Sequence, residues 1–113
     1  MVFENILEFT QKIEPVWTII LVPVWQELVF RYLPYKFWYL PSGNILLVGI
    51  VSSIVFALIH LYFGKWFVLL AFFAGLLYWV IMVKFGFIYA ILAHSAINII
   101  DLSFGIRYYV MNL

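Results

Sequence analysis

The chain has 113 residues and a formal net charge of +1, and it is 68% hydrophobic but only 10% charged; its mean hydropathy is +1.15. Soluble domains are about 45–50% apolar and ~25% charged, so the composition excludes a soluble domain with a greasy core and points to an all-α integral membrane protein. The near-neutral balance leaves no electrostatic footprint for nucleic acid, and without cysteine there is no disulfide, thiolate nucleophile or Cys-ligated metal.

Met1 to Glu14 carries Glu4, Glu8, Lys12 and Glu14, whereas a signal peptide needs a basic start and an early apolar run. Phe3, Ile6, Leu7 and Ile13 can share a helical face with Glu4, Glu8, Gln11 and Lys12 elsewhere, so residues 1–15 read as a short amphipathic surface helix. Pro15 ends that helix or opens the next. Residues 16–113 read as one membrane-helical core.

Val16 to Leu33 is the first expected span, near the short limit of ~17–25 residues. Pro23 lies within it and should kink it. Pro34, Pro41, Ser42 and Gly43 bracket an expected loop carrying Lys36 and four aromatic residues. Asn44 to Phe63 is the second span, followed by a Gly64-Lys65 turn. Trp66 to Val83 is the third, with Ala71 and Gly75 as a small-residue packing face. After a Lys84-Phe85-Gly86 turn, Phe87 to about Leu102 forms the fourth, and the residues to Leu113 form an interfacial tail or a helix extension. Many of the Trp and Tyr residues fall near the ends of these runs, as an interfacial belt requires. Four spans place Lys12, Lys65 and Arg107 on one side and Lys36 and Lys84 on the other, too even a split for the positive-inside bias to orient the chain.

Several polar groups interrupt the apolar runs. A charge at the bilayer centre costs roughly 2.5–3.5 kcal/mol on insertion scales. Glu27 and Arg31 are i and i+4 and can pair; Gln26, rotated by about 100° from Glu27, addresses different neighbours. His60 lies near the end of the second span, and His94 and Asn98 are again i and i+4, with Asp101 continuing their stripe. Taken singly, each has an ordinary structural role: an ion pair for Glu27 and Arg31, interhelical hydrogen bonding for Asn98, packing for either histidine, helix back-bonding for Ser52 and Ser95. Their joint occurrence on three apolar helices favours a shared polar chamber. Arg31 and His60 belong to opposite sides if both helices span simply, so the chamber requires a tilted, short or re-entrant first helix.

At these residues the chain resembles the CAAX protease and bacteriocin-processing family of intramembrane endopeptidases, related to the type II CAAX prenyl proteases. The family's Glu-Glu-x-x-x-Arg motif reads Gln26-Glu27-Leu28-Val29-Phe30-Arg31, its Phe-x-x-x-His motif reads Phe56 to His60, and its third motif reads His94 to Asn98. Each is weak alone; three in order on apolar helices are a strong signal, and they extend over about Val16 to Leu102. The resemblance implies four membrane helices and a peptidase acting near the bilayer surface on a peptide or a prenylated protein. It assigns water activation to position 26 with His60, oxyanion stabilisation to His94 and Asn98, and support to Glu27 and Arg31.

Gln26 departs from that pattern. A carboxamide cannot take a proton from water, and general-base assistance is worth typically 10²–10⁴-fold. The expectation is therefore impaired or absent catalysis, unless Glu27 takes over through a rotated or bent helix. The alternative is a non-catalytic pseudoenzyme serving as a small subunit or assembly factor among other membrane subunits. A proton-relay or transport role is the weaker third reading, since no two internal halves are visible. Cofactor use stays open: a divalent metal such as zinc is the one candidate, because Glu27, His60, His94 and Asp101 are competent ligand types, but no His-Glu-x-x-His helix is present, and His94 and Asn98 suit oxyanion donation as well as ligation.

Overall fold

The computed structural model describes residues 16–112, and these are almost entirely helical, with no strand among them. The expected amphipathic helix at residues 1–15 lies outside the described residues.

The first helix, α1 (residues 16–42), runs without a break through Pro23, Pro34 and Pro41. The expected loop at Pro34–Gly43 is thus helical to Ser42, and the turn is confined to Gly43 and Asn44. The prolines are absorbed by π-helical turns at Trp17–Leu21, Leu28–Tyr32 and Tyr35–Tyr39. Each of these turns ends two residues before a proline. A proline ring collides with the carbonyl four residues back, and those carbonyls, at residues 19, 30 and 37, all lie in the widened turns. Widening relieves the collision, so a helix that proline would otherwise break continues.

The second helix, α2 (Ile45–Leu58), starts at Asn44, whose side chain accepts a hydrogen bond from the Leu47 N–H at 3.1 Å. It ends before the expected boundary at Phe63. The His60 ring nitrogen Nδ1 takes the Phe56 carbonyl at 2.8 Å, the acceptor an α-helical His60 backbone N–H would use. That N–H bonds Ala57 O instead, at 3.0 Å, and the chain tightens into a 3₁₀ turn at Leu61–Phe63. This is side-chain competition with the helix ladder, and it places the imidazole at the end of α2.

The third helix, α3 (Lys65–Phe85), and the fourth, α4 (Phe87–Phe104), are joined by Gly86 alone. Gly86 has φ +118°, a conformation that side-chain-bearing residues rarely adopt, and it permits the one-residue reversal. Both helices are long and apolar enough to cross a membrane, and only 28% and 17% of their apolar windows are buried within the chain. A soluble protein's core helix would be mostly buried; these present their apolar surface outward, as lipid requires.

The helices pack in sequence, α2 along α3 and α3 along α4, with α1 laid across all three. The apolar core centres on Phe56, Ala57, Ala71 and Tyr78. A short helix, α5 (Ile106–Met111), follows Gly105 and folds back onto α3 and the 3₁₀ turn.

Candidate functional site

The polar residues of three helices meet where α1 crosses α4. Glu27 and Arg31 are fully buried, with no solvent exposure of either side chain. The expected direct bond between them does not form: Arg31 Nε lies 3.6 Å from Glu27 Oε1, an ion-pair distance too long for a hydrogen bond. The two residues straddle the junction of the α-helical stretch Val22–Glu27 and the π-helical stretch Leu28–Tyr32, where the wider turn moves i and i+4 apart.

The Glu27 carboxylate has a different hydrogen-bond partner. Its Oε2 lies 2.9 Å from His94 Nδ1. A carboxylate only accepts, so His94 Nδ1 carries the proton and Nε2 is the nitrogen left for other partners. The imidazole is held on two further sides. Tyr78 stacks on it at 4.6 Å with 16° between planes, and Phe56 meets it edge-on at 5.7 Å. The Arg31 guanidinium lies over the other π-systems, 4.1 Å from the Phe56 centroid and 5.3 Å from that of Tyr78. A cation on an aromatic face gains roughly 0.5–2 kcal/mol, more when desolvated.

Gly75 makes room for this arrangement. A Cβ there would stand 3.0 Å from Arg31 Nη2 and 3.1 Å from Phe56 Cδ1. The small-residue face expected on α3 is therefore the floor under the guanidinium, and Ala71, one turn earlier, belongs to the apolar core.

The His60 ring donates from Nδ1 to the Phe56 carbonyl, because a carbonyl can only accept; this again leaves Nε2 available. Asn98 donates from Nδ2 to Thr18 O at 2.8 Å, tying α4 to α1 as a membrane asparagine commonly does. Gln26, His60, His94 and Asn98 line one cavity of about 210 Å³. His60, His94 and Asn98 also line a second cavity of about 320 Å³, whose other walls include Phe67, Leu70, Ala74 and Ile97. Gln26 Oε1 is buried and has no protein partner among the described residues. Glu27 and Arg31 line neither cavity. Arg31 rests on Phe56, while His60 lines the cavity with Gln26.

Asp101 lines the second cavity, but its carboxylate is engaged by Arg107. Its Oδ2 accepts from Arg107 Nε at 2.7 Å and its Oδ1 from the Arg107 backbone N–H at 2.9 Å. Among the described residues no three His, Cys, Asp or Glu side chains gather closely enough to hold a metal ion. The donor set does not fit a zinc site. Sequence reasoning missed two members of the site. Tyr78 sits among apolar neighbours with no periodicity to distinguish it. Arg107 is six positions from Asp101, a spacing no regular helix brings together, and only the left-handed turn at Gly105 does so.

The family model for type II CAAX prenyl endopeptidase Rce1-like proteins matches residues 10–100. The chain belongs to this family. The match takes in the three motif segments, and it stops short of Asp101, α5 and Arg107. The family is membrane-embedded, in keeping with the two helices here that are long and apolar enough to cross a bilayer. No curated protein and no solved structure matches the chain.

Proposed function

We propose that the chain is a CAAX-type intramembrane peptidase of four membrane passes, formed by residues 16–42, Ile45–Leu58, Lys65–Phe85 and Phe87–Phe104, which binds a peptide at the cavity but hydrolyses it slowly or not at all. The observation that carries this reading is the identity of the group at the cavity wall. Gln26 lines it beside His60, His94 and Asn98, while the nearby carboxylate, Glu27, is engaged with His94.

The division of labour follows from hydrogen-bonding capacity. His94 Nε2, when protonated, and the second N–H of Asn98 are donors suited to the oxygen of a polarised peptide carbonyl. Glu27 fixes the His94 ring through Nδ1 and balances the charge of the imidazolium. His60 Nε2 is the remaining basic atom in the cavity and can accept a proton from an attacking water. Gln26 can orient that water through Oε1 but cannot deprotonate it. The oxyanion side of the reaction is therefore intact and the base side is weakened, by a factor on the order of 10²–10⁴.

Gln26→Glu tests this directly. Purified in detergent and given an S-farnesyl-cysteine peptide, that variant should cleave at least about 10²-fold faster than the unmodified chain. No gain with the fold intact, across prenylated and unprenylated peptides, would favour the second reading: a non-catalytic member of a larger membrane complex. The aromatic groups on the outer surface, Phe37, Tyr62 and Phe104 among the most exposed, suit partner helices as well as lipid.

A further inference from the structure

The outer surface carries a groove that the chemistry above does not use. α2 ends at Leu58 and α3 begins at Lys65, so these two residues stand at the same end of an antiparallel pair. Ile54, Ala57 and Leu58 of α2 and Lys65, Val68, Leu69 and Phe72 of α3 line a groove of about 260 Å³ between the helices. The spacings are i, i+3, i+4 on α2 and i, i+3, i+4, i+7 on α3, so each helix contributes a single stripe. Ala57 is buried and forms the floor, while Ile54, Leu58 and Leu69 present about half their surface outward. From Lys65 to Phe72 the groove descends roughly 10 Å, at about 1.5 Å per residue. Its lining is apolar except for the exposed Lys65 at its mouth. Among the described residues the carboxylates are Glu27 and Asp101, and both are engaged elsewhere, with His94 and Arg107. The Lys65 ammonium lies 5.7 Å from the ring centroid of its neighbour Trp66.

We propose that this groove binds an anionic phospholipid, with one acyl chain lying between α2 and α3 and the phosphate on the Lys65 ammonium. The site is separate from the polar cavities and does not depend on the peptidase reading. Charge complementarity selects the occupant. Lipid tails are as apolar as the groove's own side chains, so a chain seated there gains van der Waals packing and little else. The groove thus fixes where an acyl chain lies without choosing which lipid carries it, and the headgroup makes that choice. Lys65 is the first residue of a helix long and apolar enough to cross a membrane, and its flexible stem can carry the ammonium to headgroup level. Trp66 suits the same level, where indole rings collect. An anionic phosphate there gains a charge-assisted hydrogen bond. A zwitterionic headgroup brings its own cation, which competes with Lys65 for the same phosphate.

The test is native mass spectrometry of the intact chain in detergent, given equimolar phosphatidylglycerol and phosphatidylcholine with identical acyl chains. Phosphatidylglycerol should be retained about fivefold over phosphatidylcholine, the ratio that one lysine near anionic headgroups supplies. The preference should disappear in Lys65→Gln and remain in Lys65→Arg. Lys36→Gln and Lys84→Gln, which remove other exposed cations, should leave it intact. Leu58→Trp, which fills the groove from an outward-facing position, should lower retention of both lipids. Inorganic phosphate should not displace the bound lipid, since it brings no chain to the groove. Lys65 is exposed, so Lys65→Gln should keep the parent's detergent melting temperature. Equal retention of the two lipids would overturn the proposal. A preference that survives Lys65→Gln, or that Lys36→Gln or Lys84→Gln reduces as much, would also overturn it, by assigning the effect to overall surface charge. Unchanged retention in Leu58→Trp, or displacement by inorganic phosphate, would remove the groove as the acyl-chain site.

Discussion

The Glu27 carboxylate accepts a hydrogen bond from His94 Nδ1 at 2.9 Å, joining residues 67 positions apart. It is the bond that ties the buried charge of α1 to the candidate oxyanion donor of α4, and it sets which nitrogen of the imidazole remains free. The motif partner four residues away, Arg31, supplies charge balance and an aromatic-stacked plug.

Glu27→Gln should therefore damage chemistry as well as folding. Losing the carboxylate that fixes a catalytic imidazole costs up to about 10⁴ in kcat. In a Gln26→Glu background, cleavage per folded molecule should fall by at least about 10²-fold; detergent melting should fall too, because Arg31 loses its buried counter-charge, although the introduced carboxamide can still accept from Nδ1. Unchanged turnover would show that His94 does not depend on this bond. Should the unmodified chain cleave well and lose that activity in Glu27→Gln, Glu27 itself would be the base.

Arg31 is expected to be structural. Arg31→Ala leaves Glu27 without its cation in a fully buried position, and breaking a buried pair costs about 3–5 kcal/mol. Yield and detergent melting temperature should both drop. Arg31→Lys should recover only part of the loss, since an ammonium lacks the planar surface that lies over Phe56 and Tyr78. Wild-type melting in the alanine variant would refute the role.

Gly75→Ala probes the floor under Arg31. The added methyl would press on Arg31 Nη2 and Phe56 Cδ1, and overpacking of this kind costs about 1–3 kcal/mol. The melting temperature should fall although alanine is the better helix former. A stabilised variant would mean that the guanidinium yields without consequence.

On the proposed reading Asn98 has two tasks, interhelical bonding and oxyanion donation, which two measurements separate. Asn98→Ala removes the bond to Thr18 O, and such interhelical bonds in membranes average about 0.6 kcal/mol with a maximum near 1.7. In the Gln26→Glu background, turnover should fall by about 10²–10³-fold, the cost of one oxyanion donor. A loss of activity no greater than the loss of stability would leave Asn98 as interhelical glue alone.

Much of this protein could be read from its local chemistry. Hydropathy and charge content are properties of short windows, so the membrane setting, the apolar runs at about residues 44–63, 66–83 and 87–102, and the placement of His60 on one of them and of His94 and Asn98 together on another were legible without a structure. The i, i+4 spacings also marked Glu27 with Arg31 and His94 with Asn98 as pairs.

Only the tertiary structure decided which partners those groups take. Glu27 bonds His94 instead of Arg31 because the π-turn after Glu27 opens their spacing while packing of α1 on α4 brings the imidazole within 2.9 Å. α1 continues through Pro34 because the preceding π-turn relieves the proline collision, where a local rule expects a loop. Arg107 reaches the cavity because Gly105 reverses the chain and Asp101 captures it. The partners of Glu27 and Arg107 are set by contacts between helices. Such choices depend on how helices pack against one another, and periodicity along a single segment carries no record of them.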